Sequence, residues 1–190
     1  MNKVFFGGSR KMRRLSQAVK ERTDNIIAKG YLILLGDANG ADKAMQKYLA
    51  EKSYTNVLVF CMGNVCRNNI GKWKTRNVHS SRSKKDFNYY STKDVAMSEE
   101  ADYGLMLWDG KSNGTLNNII NLCERNKKVL VYFSPTKGFF TVENEHDISK
   151  LLEHCDPDLL RKFDRVLGIG PRMHSRQEQL SFAEPEPFAG

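Results

Sequence analysis

No stretch of this 190-residue chain approaches the roughly 18 consecutive apolar residues that a membrane-spanning helix needs. Nor is there a charged leader followed by an apolar stretch. The N-terminus runs into Val4-Phe5-Phe6 and stops at Gly7, so no signal peptide is read and the cytoplasm is the expected location, with no membrane partner. Cysteine is sparse. Cys61 and Cys66 are separated by four residues, and Cys123 and Cys155 form no second close pair. A zinc ligand set is therefore not expected, and four free thiols are. A P-loop is missing too, because no Gly-Lys-Ser/Thr follows the first glycine turn at the required spacing. Acidic residues are outnumbered: Lys and Arg total 30 against 22 Asp and Glu, a net charge of +8. That balance suits an anionic ligand or nucleic acid.

What is present reads as an alternation of strands and helices. Lys3–Phe6 is apolar and ends at Gly7-Gly8-Ser9-Arg10, ahead of a helix expected from about Ser16 to Lys29. Tyr31–Leu35 is a continuous apolar run, the mark of a strand buried on both faces. It ends at Gly36-Asp37-Ala38-Asn39-Gly40-Ala41-Asp42, and a helix follows to about Lys52. Further strands are expected at 56–60, 103–108 and 128–133, with helices at 92–101 and 115–125. The stretch from Met62 to Tyr90 has no clean period and reads as a long loop, and its basic part, from Lys72 to Lys85, as a polar surface. His79 and His146 lack partners at ligand or triad spacing and read as loop residues.

Alternation with short links implies right-handed crossovers and a parallel sheet. The fold class expected is α/β, a Rossmann-like doubly wound sheet of five or more mainly parallel strands with helices on both faces. It is expected to span residues 1–145. One or two helices follow at 146–170, broken at Asp156-Pro157, and a polar, Pro-rich tail covers 171–190. Such sheets bind ligands outside the carboxyl ends of their strands. Every glycine turn lies at that end, including Asp109-Gly110-Lys111-Ser112-Asn113-Gly114-Thr115 after Leu105-Met106-Leu107-Trp108.

The chemistry of these turns points to phosphate. Glycine permits close backbone approach, exposed N–H groups at a helix start favour an anion, and Arg10 adds a planar cationic fork. Ser9, Ser112 and Thr115 supply hydroxyls, and Asp42 either caps its helix or binds a ribose hydroxyl. Beyond the third strand, Arg67 is placed to pair with phosphate, Asn68 to read a base edge and Trp73 to stack on a base.

The order GGSR, GDANGAD, Cys66-Arg67-Asn68-Asn69, Ala101-Asp102 and WDGKSNGT, each loop after its strand, resembles the SLOG superfamily over about residues 3 to 135. That group holds small Rossmann-like proteins similar to the DprA and YpsA families and to the lysine-decarboxylase-like LOG enzymes. The resemblance implies a nucleotide or nucleotide-sugar site at the strand ends, with a homo-oligomer as the assembled form. By it, Gly8, Ser9 and Arg10 align with the first phosphate loop and Gly36, Gly40, Ala41 and Asp42 with the second. Asp109, Gly110, Gly114 and Thr115 align with the last, and Gly7, Asp37 and Ser112 beside them complete the expected ligand-binding set. The LOG enzymes keep a glutamate three residues after their Gly-Thr, where it acts on the glycosidic bond. Here Asn118 occupies that place, and the Pro-Gly-Gly element of those enzymes is absent.

The leading expectation is therefore a binding or sensing protein for a nucleotide or NAD-derived ligand, with no required cofactor and no glycosidic chemistry. The alternative is an N-glycosidase or phosphoribohydrolase acting on nucleoside monophosphates through Glu99 or Glu100. A further alternative is a binder of single-stranded nucleic acid.

Overall fold

The computed structural model describes residues 1–82, 84 and 86–170. The expected tail at 171–190 lies outside them. Seven strands form one sheet: β1 (Lys3–Gly8), β2 (Leu32–Gly36), β3 (Val57–Met62), β4 (Lys74–Val78), β5 (Tyr103–Trp108), β6 (Lys128–Phe133) and β7 (Gly138–Val142). Between and after them run α1 (Gln17–Ala28), α2 (Ala41–Glu51), α3 (Phe87–Glu100), α4 (Asn113–Glu124), α5 (Glu145–Leu152) and α6 (Pro157–Leu167). The sheet order is β4-β3-β2-β1-β5-β6-β7. All pairings are parallel except that of β6 with β7. This is the Rossmann-like α/β architecture, and no helix among the described residues is long and apolar enough to cross a membrane.

Alternation along the central strands divides the core in two. Phe5, Leu34, Phe60, Met106 and Trp108 face one side, where Leu116, Ile119 and Ile120 of α4 meet them. Val4, Phe6, Leu35, Val59 and Leu107 face the other, against Val19 of α1 and Met45 and Leu49 of α2. Period-2 alternation within apolar strands is what lets one sheet bury both faces. The C-terminal helices are no appendage: Ile148, Leu151, Phe163 and Leu167 join the core on the α4 side.

Four expectations need correction. The basic segment after Lys72 is partly a strand, because β4 pairs in parallel with β3 from Leu58↔Lys74 to Met62↔Val78. An edge strand with both faces near solvent needs no apolar pattern, and its charges discourage pairing with other chains. Helix α3 starts at Phe87, with the Asp86 side chain as N-cap accepting from Tyr89 N, five residues earlier than the hydrophobic pattern marks. Cys61 and Cys66 are joined in a disulfide, which leaves Cys123 and Cys155 as the free thiols. His146 lies in the first turn of α5 rather than in a loop.

Candidate functional site

The chain leaves β1 toward β2 in one direction and returns to β5 on its other side. Between the carboxyl ends of these two neighbours lies the crevice where open α/β sheets take ligands. Here it holds a cavity of about 690 Å³. Its floor comes from the β1 turn and its far wall from the start of α4. Helix α3 closes one side, and Leu159 and Lys162 of α6 reach in from another.

The two turns are held by their own hydrogen bonds. Ser9 Oγ donates to Asp109 Oδ2 at 2.7 Å, and Ser9 N donates to Leu107 O at 2.9 Å. Asp109 Oδ1 accepts from Lys111 N at 3.1 Å and Ser112 N at 2.9 Å, the side-chain-to-backbone pattern that makes an Asx turn. Ser112 is the N-cap of α4, and the Thr115 hydroxyl donates to its Oγ at 3.1 Å. The Ser9 and Thr115 hydroxyl protons, expected to meet phosphate, are thus directed inward. Gly114 beside them has open space around it.

Deeper in, Lys93 is 4% exposed. Its ammonium lies 3.2 Å from Asp94 Oδ1 and presses against Gly36, where a Cβ would come within 2.6 Å of Nζ and 2.3 Å of Asp42 Oδ2. Gly36 therefore leaves room for a buried ion-pair cluster. Burial pushes the Asp42 carboxyl up to about 6, partly offset by the Lys93 charge. Burial alone would lower Lys93, but Asp94 and Asp42 outweigh it and hold its proton above the ordinary lysine range. Asp42 also accepts from Ala38 N at 3.2 Å.

The loop after β3 is anchored in the same way. Arg67 grips buried Asp37 through Nη2 at 2.6 Å and Nε at 3.0 Å. Burial would raise that carboxyl, yet the Arg67 hydrogen bonds hold it below the usual range. The Arg67 guanidinium lies 5.1 Å from the centre of the Tyr90 ring, and that of Arg10 lies 5.5 Å from the same ring. Tyr90 thereby ties α3 to both loops through cation–π contacts.

Gly7, Gly8, Ser9, Arg10, Asp42, Arg67, Asp109, Ser112, Gly114, Thr115 and Asn118 all line the cavity. Gly36, Asp37, Gly40, Ala41, Asn68 and Gly110 do not, and they shape or brace its loops. Asn68, for instance, donates to Asp37 O at 2.8 Å. Trp73 is not poised to stack on a base: its ring packs into the core and its Nε1 donates to Tyr54 O at 2.8 Å. Glu99 and Glu100 end α3 at the opposite, amino-terminal edge of the sheet. There Glu100 pairs with Lys3 and Arg76, and Glu99 pairs with Arg125. That distance from the cavity removes both as catalytic candidates for it.

No turn motif in the sequence marks α3 as a wall of the site. Tyr90, Lys93, Asp94 and Met97 all line the cavity, and their spacing of three, four and seven places them on one helix face. That spacing was the available signal.

Among the residues that line the cavity, one buried side-chain atom has no match. Asn118 is 6% exposed and lines the cavity, and its Oδ1 is buried without a hydrogen-bond partner. Six basic side chains and four carboxylates line the same space. No family model, curated protein or solved structure matches this chain.

Proposed function

We propose that this chain binds a small, phosphate-bearing ligand of nucleotide type in the cavity between β1 and β5, and leaves its glycosidic bond intact. The observation that carries the reading is Asn118 Oδ1, a buried acceptor with no partner. A buried unpaired polar atom costs about 1–3 kcal/mol, so a ligand toward which the Asn118 amide turns, and which supplies a donor, recovers a penalty already present. A sugar hydroxyl is such a donor. The basic side chains that line the cavity favour phosphate, and Phe87 and Tyr90 offer apolar surface for a base. An amide can hold a hydroxyl, but it cannot act as a nucleophile or exchange a proton near neutral pH. An ADP-ribose-like or other NAD-derived compound has all three parts: phosphate, sugar and ring.

The test is thermal denaturation of the full chain with AMP, NAD and ADP-ribose in excess. A ligand at 100 times its dissociation constant adds about 2.7 kcal/mol of stability, which is a clear rise in Tm. No shift with any member of the panel would overturn the reading.

Asp42 favours a second reading. A buried carboxyl raised to about 6 in a ligand cavity has the profile of a general acid. Under that reading, incubation with a nucleoside monophosphate releases free base, and Asp42→Asn abolishes the release. Intact nucleotide after long incubation favours binding alone.

A further inference from the structure

A second cavity, of about 360 Å³, opens beside the start of α2. Arg10, Arg13, Lys43 and Lys47 line it together with Asn39 and Gly40, and no carboxylate does. Among the described residues none of these four cations is ion-paired. Lys43 and Lys47 are four apart on one helix, where like charges repel. The arrangement is held together by backbone. Gly40 has φ +86°, and a Cβ there would fall 2.3 Å from Arg10 O. Ala41 N and Met12 N both donate to Ser9 O, at 3.2 and 3.1 Å. These contacts pin the loop bearing Arg10 and Arg13 onto the helix bearing Lys43 and Lys47. Asn39 accepts from Asn68 Nδ2 through its Oδ1 at 3.2 Å, which ties the loop after β3 to the edge of this cavity. The α2 N-terminus adds a partial positive charge, offset in part by Asp42 in its first turn.

Arg10 lines both cavities. We propose that the all-cationic cavity beside α2 is a phosphate subsite for the same ligand, which carries phosphate groups on both sides of Arg10. This rests on the reading of the first cavity as a nucleotide-type site, and it adds that the ligand is a polyphosphate or carries more than one phosphate group. Four unpaired cations in a concave space concentrate a multivalent anion far more strongly than a singly charged one.

The probes are inorganic tripolyphosphate and orthophosphate, titrated calorimetrically into the full chain and into Lys43→Gln/Lys47→Gln. Neither lysine lines the first cavity, and an unchanged Tm of the variant confirms folding. Arg13→Gln is an independent second variant. The expected result is at least a tenfold preference of the unmodified chain for tripolyphosphate, reduced to threefold or less in the double variant and lowered in Arg13→Gln. A preference that survives in both variants, or no tripolyphosphate binding at all, overturns the subsite. AMP, titrated in parallel, separates the two readings. AMP binding with no tripolyphosphate preference sinks the subsite and spares the nucleotide site. Tripolyphosphate binding lost in the variants, with no binding of AMP, NAD or ADP-ribose, sinks the nucleotide site and leaves an anion site beside α2. Binding of a single-stranded oligonucleotide that is lost in the variants, without a tripolyphosphate preference, assigns the cations to nucleic acid and overturns the proposal.

Discussion

Ser9 Oγ donates 2.7 Å to Asp109 Oδ2, across 100 residues of sequence, and so joins the turn after β1 to the turn after β5. The two strands are neighbours in the sheet, in register from Val4↔Tyr103 to Gly8↔Leu107. The bond closes the crevice at its base and uses the serine proton that a bound phosphate would otherwise receive.

Asp109 accepts three hydrogen bonds, from Ser9 Oγ, Lys111 N and Ser112 N, whereas Ser9 contributes one of them. Hydrogen bonds to a charged group contribute about 1.5–3 kcal/mol each. Asp109→Ala is therefore expected to destabilise the fold by about 3 kcal/mol or more and Ser9→Ala by about 1.5 kcal/mol, on the same scale. Urea unfolding monitored by tryptophan fluorescence measures both. Equal losses, or a larger one for Ser9→Ala, would show that the turn does not depend on Asp109.

Asn118 should separate stability from binding. Its Oδ1 is buried without a partner, and replacing such a group by an apolar one of similar shape is near neutral or stabilising. Asn118→Leu is expected to unfold at the same or higher urea concentration and to bind the best nucleotide of the panel about tenfold more weakly, the equivalent of about 1.4 kcal/mol. Loss of stability with unchanged affinity would mean that Asn118 is only a packing residue.

Glu99 and Glu100 supply the matching negative case. Both lie at the amino-terminal edge, where their partners are Arg125, Lys3 and Arg76. Glu99→Gln and Glu100→Gln are each expected to leave ligand affinity and any base release within twofold of the unmodified chain. Their effect should be confined to stability, by less than about 1 kcal/mol for such partly exposed pairs. A tenfold loss of binding or turnover in either would place a ligand group at the wrong end of the sheet and contradict the site.

How much of this was legible in the sequence follows from where each element gets its stability. Strands β5 and β6 are legible to the residue, because Tyr103–Trp108 and Lys128–Phe133 are central, apolar and bounded by turn residues. Strand β4 was not, since Lys74 to Asn77 are exposed and an edge position imposes no pattern on them. The glycine turns announced the carboxyl edge of the sheet correctly. The chemistry at that edge was less visible, because it comes from long-range contacts. Lys93 meets Asp42 and Gly36 from a helix some fifty residues away, and the Tyr90 bridge between Arg10 and Arg67 joins three separate segments. The early start of α3 was hidden because its first turn is polar, although Asp86 is a strong N-cap type.

The disulfide between Cys61 and Cys66 holds the loop that begins with Arg67, and Arg67 in turn holds buried Asp37. Closing so short a loop stabilises the fold by about 2 kcal/mol through the unfolded chain. Dithiothreitol is expected to lower the urea midpoint of the unmodified chain accordingly and to leave that of Cys61→Ser/Cys66→Ser unmoved. Thiol titration of unreduced, denatured protein should find Cys123 and Cys155 only. Four reactive thiols, or a midpoint indifferent to reductant, would show that the loop is held by the Arg67–Asp37 pair without covalent help.

Asp42 sets the pH dependence. In the folded chain it keeps its proton up to about 6, against 3.8 as its ordinary value. Between those values the folded state binds the extra proton, so this group's contribution to stability is full below the lower value and is lost as pH rises through the upper one. Protonation below about 6 also removes one negative charge from the ligand cavity. ADP-ribose is the suitable probe, since both ends of its pyrophosphate are esterified and its charge stays constant where a phosphate monoester would itself titrate. Its affinity is expected to rise by about threefold to tenfold as the pH falls from about 7 to about 5, as expected for one more unit of favourable charge at close range. Asp42→Asn should bind it with the tight, low-pH affinity throughout and lose the slope. A flat profile for the unmodified chain, or an unchanged slope in Asp42→Asn, would place the titrating group elsewhere.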